Sequence, residues 1–338
     1  NLIKQIFDQK KSLEENLRLK LKVMGLSNSK KMILSDTEID LNDWKSKLDS
    51  SDLISNNDQF LNFSINQNLR NSLFIDNTAN ADVTINYNNY LKNGIGVVTC
   101  NKIACSDNLE KYLELKSLSR NHNSPFLYET NVGAALPIIN TLNNLINSGD
   151  RITKIEAILS GTLNFIFNYF NKENSFYEVV KKAVDLGYTE PDPKIDLCGI
   201  DVSRKILILA RESGKKIEFS DVQNETFLPK ESIESNSKEE FLKSLKDNND
   251  HFNQILNKAI EKRSRLKYVA CLENDTASVG LKAVKEDHPF YNIEGRDNIT
   301  VFHTDRYKDS PLVVRGPGAG GEFTASGVFA DIIKASEK

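Results

Sequence analysis

Gly187-Tyr188-Thr189-Glu190-Pro191-Asp192-Pro193-Lys194-Ile195-Asp196-Leu197-Cys198-Gly199-Ile200-Asp201-Val202-Ser203-Arg204-Lys205 sets four carboxylates among three cations, punctuated by two prolines and an internal glycine. A residue that precedes proline is pushed out of the α region, so Pro191 and Pro193 predict a stiff, extended loop that presents Glu190 and Asp192. After Gly199 the chain predicts a helix in which Val202 and Ile206 through Ala210 are apolar on most sides. Such a helix is mostly buried. Asp201 and Lys205 lie one turn apart on it, followed by Ile208. On an ordinary amphipathic helix this would be a surface ion pair worth about 0.3 to 0.5 kcal/mol. Here the face runs on into apolar residues, which favours a lysine partly withdrawn from water beside a carboxylate, a setting suited to proton transfer.

A chain of 338 residues with 39% hydrophobic content is long enough for two sizeable cores. Its net charge of -3 gives no electrostatic case for nucleic acid or membrane partners. Cys100, Cys105, Cys198 and Cys271 follow neither CxxC spacing nor a disulfide framework, and no apolar run reaches spanning length, so a reducing, cytoplasmic setting is expected. His122, His251, His288 and His303 are scattered without the i,i+4 spacing of a zinc helix and read as surface or structural residues.

Residues 1–20 place Leu2, Ile3, Ile6, Phe7, Leu13 and Leu17 at near-helical spacing and predict an amphipathic helix. Residues 21–26 predict a strand, and Asn28-Ser29-Lys30-Lys31 follows it. In a dinucleotide fold the end of the second strand meets the adenosine ribose, where a cation accommodates the 2′-phosphate of NADP. Lys30 and Lys31 fit that role; the alternative is a solvated basic turn. Fold logic also calls for a strand and a Gly-x-Gly-x-x-Gly loop before the first helix, yet no glycine precedes Gly25. The expectation is a fragment boundary or a lost phosphate site, and a chain that as written binds its cofactor poorly.

Residues 36–72 read as a connecting region with a short helical patch at 41–48. Beyond it, 73–78 predicts a strand ending in a polar turn, 82–92 a helix and 96–99 a second strand, which together form a parallel crossover. Ligands of such sheets bind beyond the carboxyl ends of strands, where Thr78 and Lys102 fall. Thr78 is equally a candidate helix cap. Residues 126–129 predict a further strand and 138–146 a helix.

From Asp150 a second domain is expected. It has a strand at 152–159, a helix at 163–170 with Ser160 or Thr162 as its cap, solvent-facing helices within 229–263, and sheet strands at 266–271, 277–284 and 299–303. Near the end, a strand at 311–315, Gly316-Pro317-Gly318-Ala319-Gly320-Gly321 and a helix at 324–333 formally match the dinucleotide fingerprint. No second strand or ribose-binding acid follows, so the pyrophosphate is not assigned there.

The Gly-Tyr-Thr-Glu-Pro-Asp-Pro run at 187–193, with Gly199, Asp201-Val202 and Arg204-Lys205, resembles the substrate-binding signature of homoserine dehydrogenases. Asp76-Asn77-Thr78, Asn101-Lys102, the segments 131–137 and 158–164, and the glycine run at 316–321 match in the same order. The resemblance covers nearly the whole chain. It implies an α/β protein with a Rossmann-type dinucleotide-binding domain, residues 1–134 plus 316–338, and an α+β substrate and dimerisation domain, 135–315.

The implied activity is NADP- or NAD-dependent interconversion of aspartate 4-semialdehyde and L-homoserine, in threonine and methionine biosynthesis. Lys205 would carry the proton route, with Lys102 as its partner or as stabiliser of the alkoxide, and as a cofactor contact. Glu190 would hold the substrate ammonium, and Asp201 would orient substrate and Lys205. Thr78, Gly187, Gly320 and Lys30 would meet the cofactor. A monovalent cation such as sodium would take the Glu129 side chain and the carbonyls of Val132, Ala134 and Leu136. The second sheet would form a homodimer. Asp40-Leu41-Asn42-Asp43-Trp44 resembles bifunctional members of the family, which implies an N-terminal aspartokinase in the complete protein. Ile103 stands where a second lysine often follows Lys102. Rival readings are a silent dimerisation or regulatory partner and a module that binds an amino acid without redox chemistry.

Overall fold

A computed structural model describes residues 1–337. The chain divides into two compact units, one formed by Asn1–Asn131 with Gly321–Lys338 and the other by Val132–Gly320. Among the described residues no helix is long and apolar enough to cross a membrane.

The first unit is built on a parallel sheet of three strands in the order Leu73–Asp76, Gly96–Thr99, Phe126–Leu127. Leu73 pairs with Gly96 and Asp76 with Thr99, so the outer and middle strands end level. Val97 and Val98 are fully buried, as a central parallel strand covered on both faces requires. One cover comes from the helices Leu2–Leu17 and Gly321–Ser336, whose Ile6, Leu13, Val328, Phe329 and Ile332 cluster with Val98. Elsewhere Phe74 stacks on Tyr90 at 4.2 Å between ring centroids and meets Tyr87 edge-on.

Three local expectations are corrected in this unit. The strand expected at 21–26 is confined to Gly25–Ser27 and pairs antiparallel with Met32–Leu34, apart from the parallel sheet. Val23 and Met24 instead give their carbonyls to the amides of Ile39 and Ser35. Second, residues 36–72 hold two helices, Trp44–Ser50 and Asn57–Gln67. The latter buries only Leu61 and is capped by Asn56, so its polar sequence hides it from a periodicity argument. Third, the helix expected at 82–92 is broken into Ala81–Thr84 and Tyr87–Lys92. The next crossover runs through Ile103–Ser106 and Leu109–Asn121, which the sequence reading passed over.

The second unit carries a sheet of six strands ordered Leu312–Pro317, Asp297–Thr304, Ile152–Ile158, Arg265–Glu273, Thr276–Val284, Gln223–Glu225. Every pairing is antiparallel except the last. Because Leu312–Pro317 runs antiparallel to its neighbour, the glycine run after it stands in no parallel crossover. Helices Gly161–Tyr169 and Ile200–Glu212 pack on this sheet. The charged region 229–263 does form helices, and each longer one buries an apolar stripe: Phe241 and Leu245 in Lys238–Asp247, Phe252 and Leu256 in Asn249–Glu261. Phe252 stacks on Phe176 at 4.2 Å. Two histidines flank Glu156, with His303 Nε2 at 3.5 Å and His288 Nε2 at 3.8 Å from its carboxylate, and the His251 ring lies 2.9 Å from the Phe227 carbonyl.

Candidate active site

Helix Ile200–Glu212 starts from Gly199, whose φ of 69° is left-handed. A Cβ there would sit 1.9 Å from the Tyr268 hydroxyl oxygen, so the sheet approaches this turn as closely as glycine alone permits. Six residues on, Lys205 Nζ donates to the Leu159 carbonyl at 2.6 Å and pairs with Asp201 Oδ2, one turn back, at 2.8 Å. The two partners differ in setting: the lysine side chain is 10% exposed and the aspartate 49%. This is not a surface pair. The ammonium is withdrawn into the fold with its carboxylate at the mouth, and two of its three donors are used.

Leu159 itself follows the strand Ile152–Ile158 and precedes Ser160, whose hydroxyl caps the helix Gly161–Tyr169 by accepting the Leu163 amide at 3.1 Å. Of the two candidate caps, Ser160 is the one. The Thr162 hydroxyl instead donates to the Tyr188 carbonyl, tying the loop at 187–190 to this helix. The Arg296 guanidinium lies over the Tyr188 ring at 4.2 Å.

The proline loop departs from its expected form. Pro193 opens a short helix, Pro193–Leu197, and Asp192 is its cap, accepting the Lys194 amide at 3.0 Å. Proline fits the first helical position because its missing N–H has no intrahelical partner there. Asp192 is therefore occupied locally, whereas Glu190 stays exposed, with its amide donating to Asp196 Oδ2 at 2.8 Å. Burial raises the Asp196 carboxyl above its ordinary value; the charges of Glu190 and Asp201 act in the same sense, opposed by the Glu190 amide and the Thr162 hydroxyl. The Asp196 carboxyl thus feels two other carboxylates, a place that a substrate cation would relieve. Sequence reasoning gave Asp196 and Thr162 no role there. Their signal was weak, because each is a single polar residue whose neighbour is set by a loop. Gly187 has φ 66° and open space where a Cβ would be, so backbone conformation is what selects it.

In the first unit, Thr78 and Lys102 stand just past the carboxyl ends of the strands Leu73–Asp76 and Gly96–Thr99. Thr78 is exposed and is not a helix cap: its hydroxyl accepts the Asn80 amide at 3.2 Å, and Asn80 caps the helix Ala81–Thr84. Lys102 is half-buried at the start of Ile103–Ser106. Lys30 is exposed in the hairpin turn, where the amides of Lys30 and Lys31 both donate to Asn28 Oδ1 at 2.8 Å. Lys31 Nζ donates to the Asp49 carbonyl at 2.8 Å, which gives it a structural post.

The residues named for a cation fall in both units. Glu129 is buried in a 3-10 turn of the first. Val132, Ala134 and Leu136 belong to the second, where Gly133 and Ala134 have φ of 83° and 53° and the Leu136 carbonyl accepts the Ile138 amide at 2.8 Å. A carbonyl has a second lone pair, so this bond leaves the Leu136 oxygen able to accept again. Among the described residues no group of three His, Cys, Asp or Glu side chains is placed to hold a metal. Gly320 has φ 127° before the helix Gly321–Ser336.

A parallel crossover with polar loops at its carboxyl edge, and a separate unit whose helix Ile200–Glu212 buries a lysine beside a carboxylate, define a two-part α/β protein. Comparison with known proteins narrows this. Residues 1–129 match the family model of the homoserine dehydrogenase NAD binding domain, and residues 137–333 match that of homoserine dehydrogenase itself. The chain belongs to the homoserine dehydrogenase family.

A bifunctional aspartokinase/homoserine dehydrogenase 1 of the chloroplast from Zea mays is 44% identical over 99% of this chain, which spans 37% of that protein's length. A homoserine dehydrogenase from Paracoccidioides brasiliensis is 38% identical over 79% of this chain and 75% of its own. The crystal structure of a protein of unknown function from Candida auris superposes with a TM-score of 0.92 at 32% identity, covering 100% of this chain and 96% of that one.

Proposed function

We propose that the complete protein reduces aspartate 4-semialdehyde to L-homoserine, and runs the reverse oxidation, with NADPH or NADH. The observation that carries this is the seating of Lys205, buried and held by a main-chain carbonyl and a half-exposed carboxylate. Reduction of an aldehyde needs hydride at carbon and a proton at the developing alkoxide. The nicotinamide supplies the hydride when bound. Lys205 delivers the proton or hydrogen-bonds the alkoxide, and Asp201 fixes its direction. Glu190, beside Asp196 and Asp201, holds the substrate ammonium. Lys102 stabilises the alkoxide and contacts the nicotinamide, and Thr78, Gly187, Gly320 and Lys30 contact the rest of the cofactor.

The same reading places the reaction in threonine and methionine biosynthesis and assigns residues 1–134 with 316–338 to cofactor binding and 135–315 to catalysis and homodimerisation. Val313, half-exposed on the edge strand, supports a sheet-borne interface. Glu129 with the carbonyls of Val132, Ala134 and Leu136 takes a monovalent cation. The bifunctional relative supports a fused aspartokinase. Cys100, Cys105, Cys198 and Cys271 form no disulfide among the described residues, which suits a reducing, cytoplasmic setting.

Lys205→Ala in the full-length protein should lower kcat by about a hundredfold or more while the semialdehyde KM changes little. A variant with near-normal kcat removes Lys205 from the chemistry.

A further inference from the structure

Asp76 ends the strand Leu73–Asp76 and is 1% exposed, and among the described residues no lysine or arginine forms an ion pair with it. Three donors converge on it instead. Oδ1 accepts the Thr78 amide at 2.7 Å, and Oδ2 accepts the Tyr87 hydroxyl at 2.5 Å and Asn101 Nδ2 at 3.0 Å. Asn101 extends the connection: its Nδ2 also donates to the Asn80 carbonyl at 3.0 Å, and its amide donates to Thr99 Oγ1 at 2.8 Å. Burial, and then the charge of Asp76, hold the Tyr87 phenol well above its ordinary range, so it remains a donor throughout the working pH. A buried carboxylate is tolerated only when its oxygens are satisfied, and here two of the three donors come from the loops just beyond the carboxyl ends of neighbouring strands.

We infer that Asp76 is a positioning residue, whose carboxylate locks the Thr78 loop and the Asn101-Lys102 turn into one arrangement that receives the nicotinamide end of the cofactor. The inference rests on the function proposed above. The carboxylate need touch neither substrate nor cofactor. It acts by fixing the backbone from which Thr78 and Lys102 project, and the level ending of the two strands is what lets one side chain reach both.

Asp76→Asn tests this with almost no change of shape. One oxygen becomes an NH2, which must face either the Thr78 amide or the Tyr87 and Asn101 donors, so one arm of the lock opens. In the full-length protein without cofactor, hydrogen exchange of segments 76–82 and 99–104 should quicken by about tenfold or more, the scale of one charge-assisted hydrogen bond. The NADPH KM should rise and kcat fall by about tenfold each, with the semialdehyde KM within about twofold. Leu115→Ala, a core truncation in the helix Leu109–Asn121, is the destabilised control. Unchanged exchange and cofactor KM in Asp76→Asn, or shifts no larger than those of the control at matched melting temperature, overturn the inference. Should Asp76→Asn fail to fold, Asn101→Ala decides: it should loosen 99–104 and lower kcat, and normal values for both overturn the inference. A wild-type protein without semialdehyde reductase activity would defeat the proposed function, whereas the exchange comparison would still judge the lock.

Discussion

Asp331, 3% exposed on the helix Gly321–Ser336, accepts the Glu129 amide at 2.9 Å through Oδ2. Burial pushes its carboxyl up to about 6, against opposition from that amide and from Lys334. Aspartate in the unfolded chain titrates near 3.8. Between those two values the folded protein holds the proton that the unfolded chain has lost, so stability falls as pH rises from about 3.8 to about 6 and levels off above. A shift of this size corresponds to roughly 2 to 3 kcal/mol. Asp331→Asn keeps an acceptor for the Glu129 amide and cannot titrate. Measured by denaturant unfolding at pH 3.5 and pH 7, the stability of wild type relative to Asp331→Asn should fall by about that amount. A difference that stays flat with pH would mean that Asp331 is not held in this way. Nothing in the sequence around Asp331 announces such a group, because the burial that shifts it is a product of tertiary packing and its hydrogen-bond partner, Glu129, lies two hundred residues away in the chain.

Among the elements, the helix Ile200–Glu212 was legible for a physical reason: Val202 and Ile206 through Ala210 are apolar on more than one side, and all are buried. The loop before it was only half legible. Pro191 and Pro193 restrict the residues ahead of them, but the same chemistry that makes proline stiff also makes it a good first helical residue, and Pro193 takes that second role with Asp192 as cap. The start of the long helix hinges on Gly199, where alanine would bring both a left-handed φ and an overlap with the Tyr268 hydroxyl. Gly199→Ala should cost roughly 2 to 5 kcal/mol. Tyr268→Phe removes the nearest atom of the overlap, so the double variant should recover about 1 kcal/mol or more beyond additivity in a double-mutant cycle. Strict additivity would show that strain in φ, rather than the tyrosine, is what excludes a side chain.

For the molecule as a whole, the sequence carried the α/β class and the signature order well, because strands such as Gly96–Thr99 and Asp297–Thr304 are rich in β-branched and aromatic residues. Segments whose partners are distant or polar were harder to read. Residues 21–26 look like a sheet strand, yet their hydrogen bonds go to a hairpin and to the amides of Ser35 and Ile39. That placement bears on cofactor choice, since it puts Lys30 on an exposed Asx turn. Lys30→Glu in the full-length enzyme should lower the NADPH-to-NADH ratio of kcat/KM by about tenfold, the loss of one charge-assisted contact to a 2′-phosphate. An unmoved ratio would leave Lys30 as a solvated turn residue.

The anchor of Lys205 has one more consequence. The atom that receives its ammonium is the main-chain oxygen of Leu159, which every amino acid at that position also possesses. Drift of the side chain at 159 therefore leaves the anchor in place, whereas an insertion between 158 and 160, or a substitution that moves the start of the helix Gly161–Tyr169, would displace it with every letter of the lysine motif intact. Two relatives could then share the signature at 199–205 and differ in whether their lysine is held. Comparing the path of the chain after the strand Ile152–Ile158 would tell them apart where comparing motifs would not.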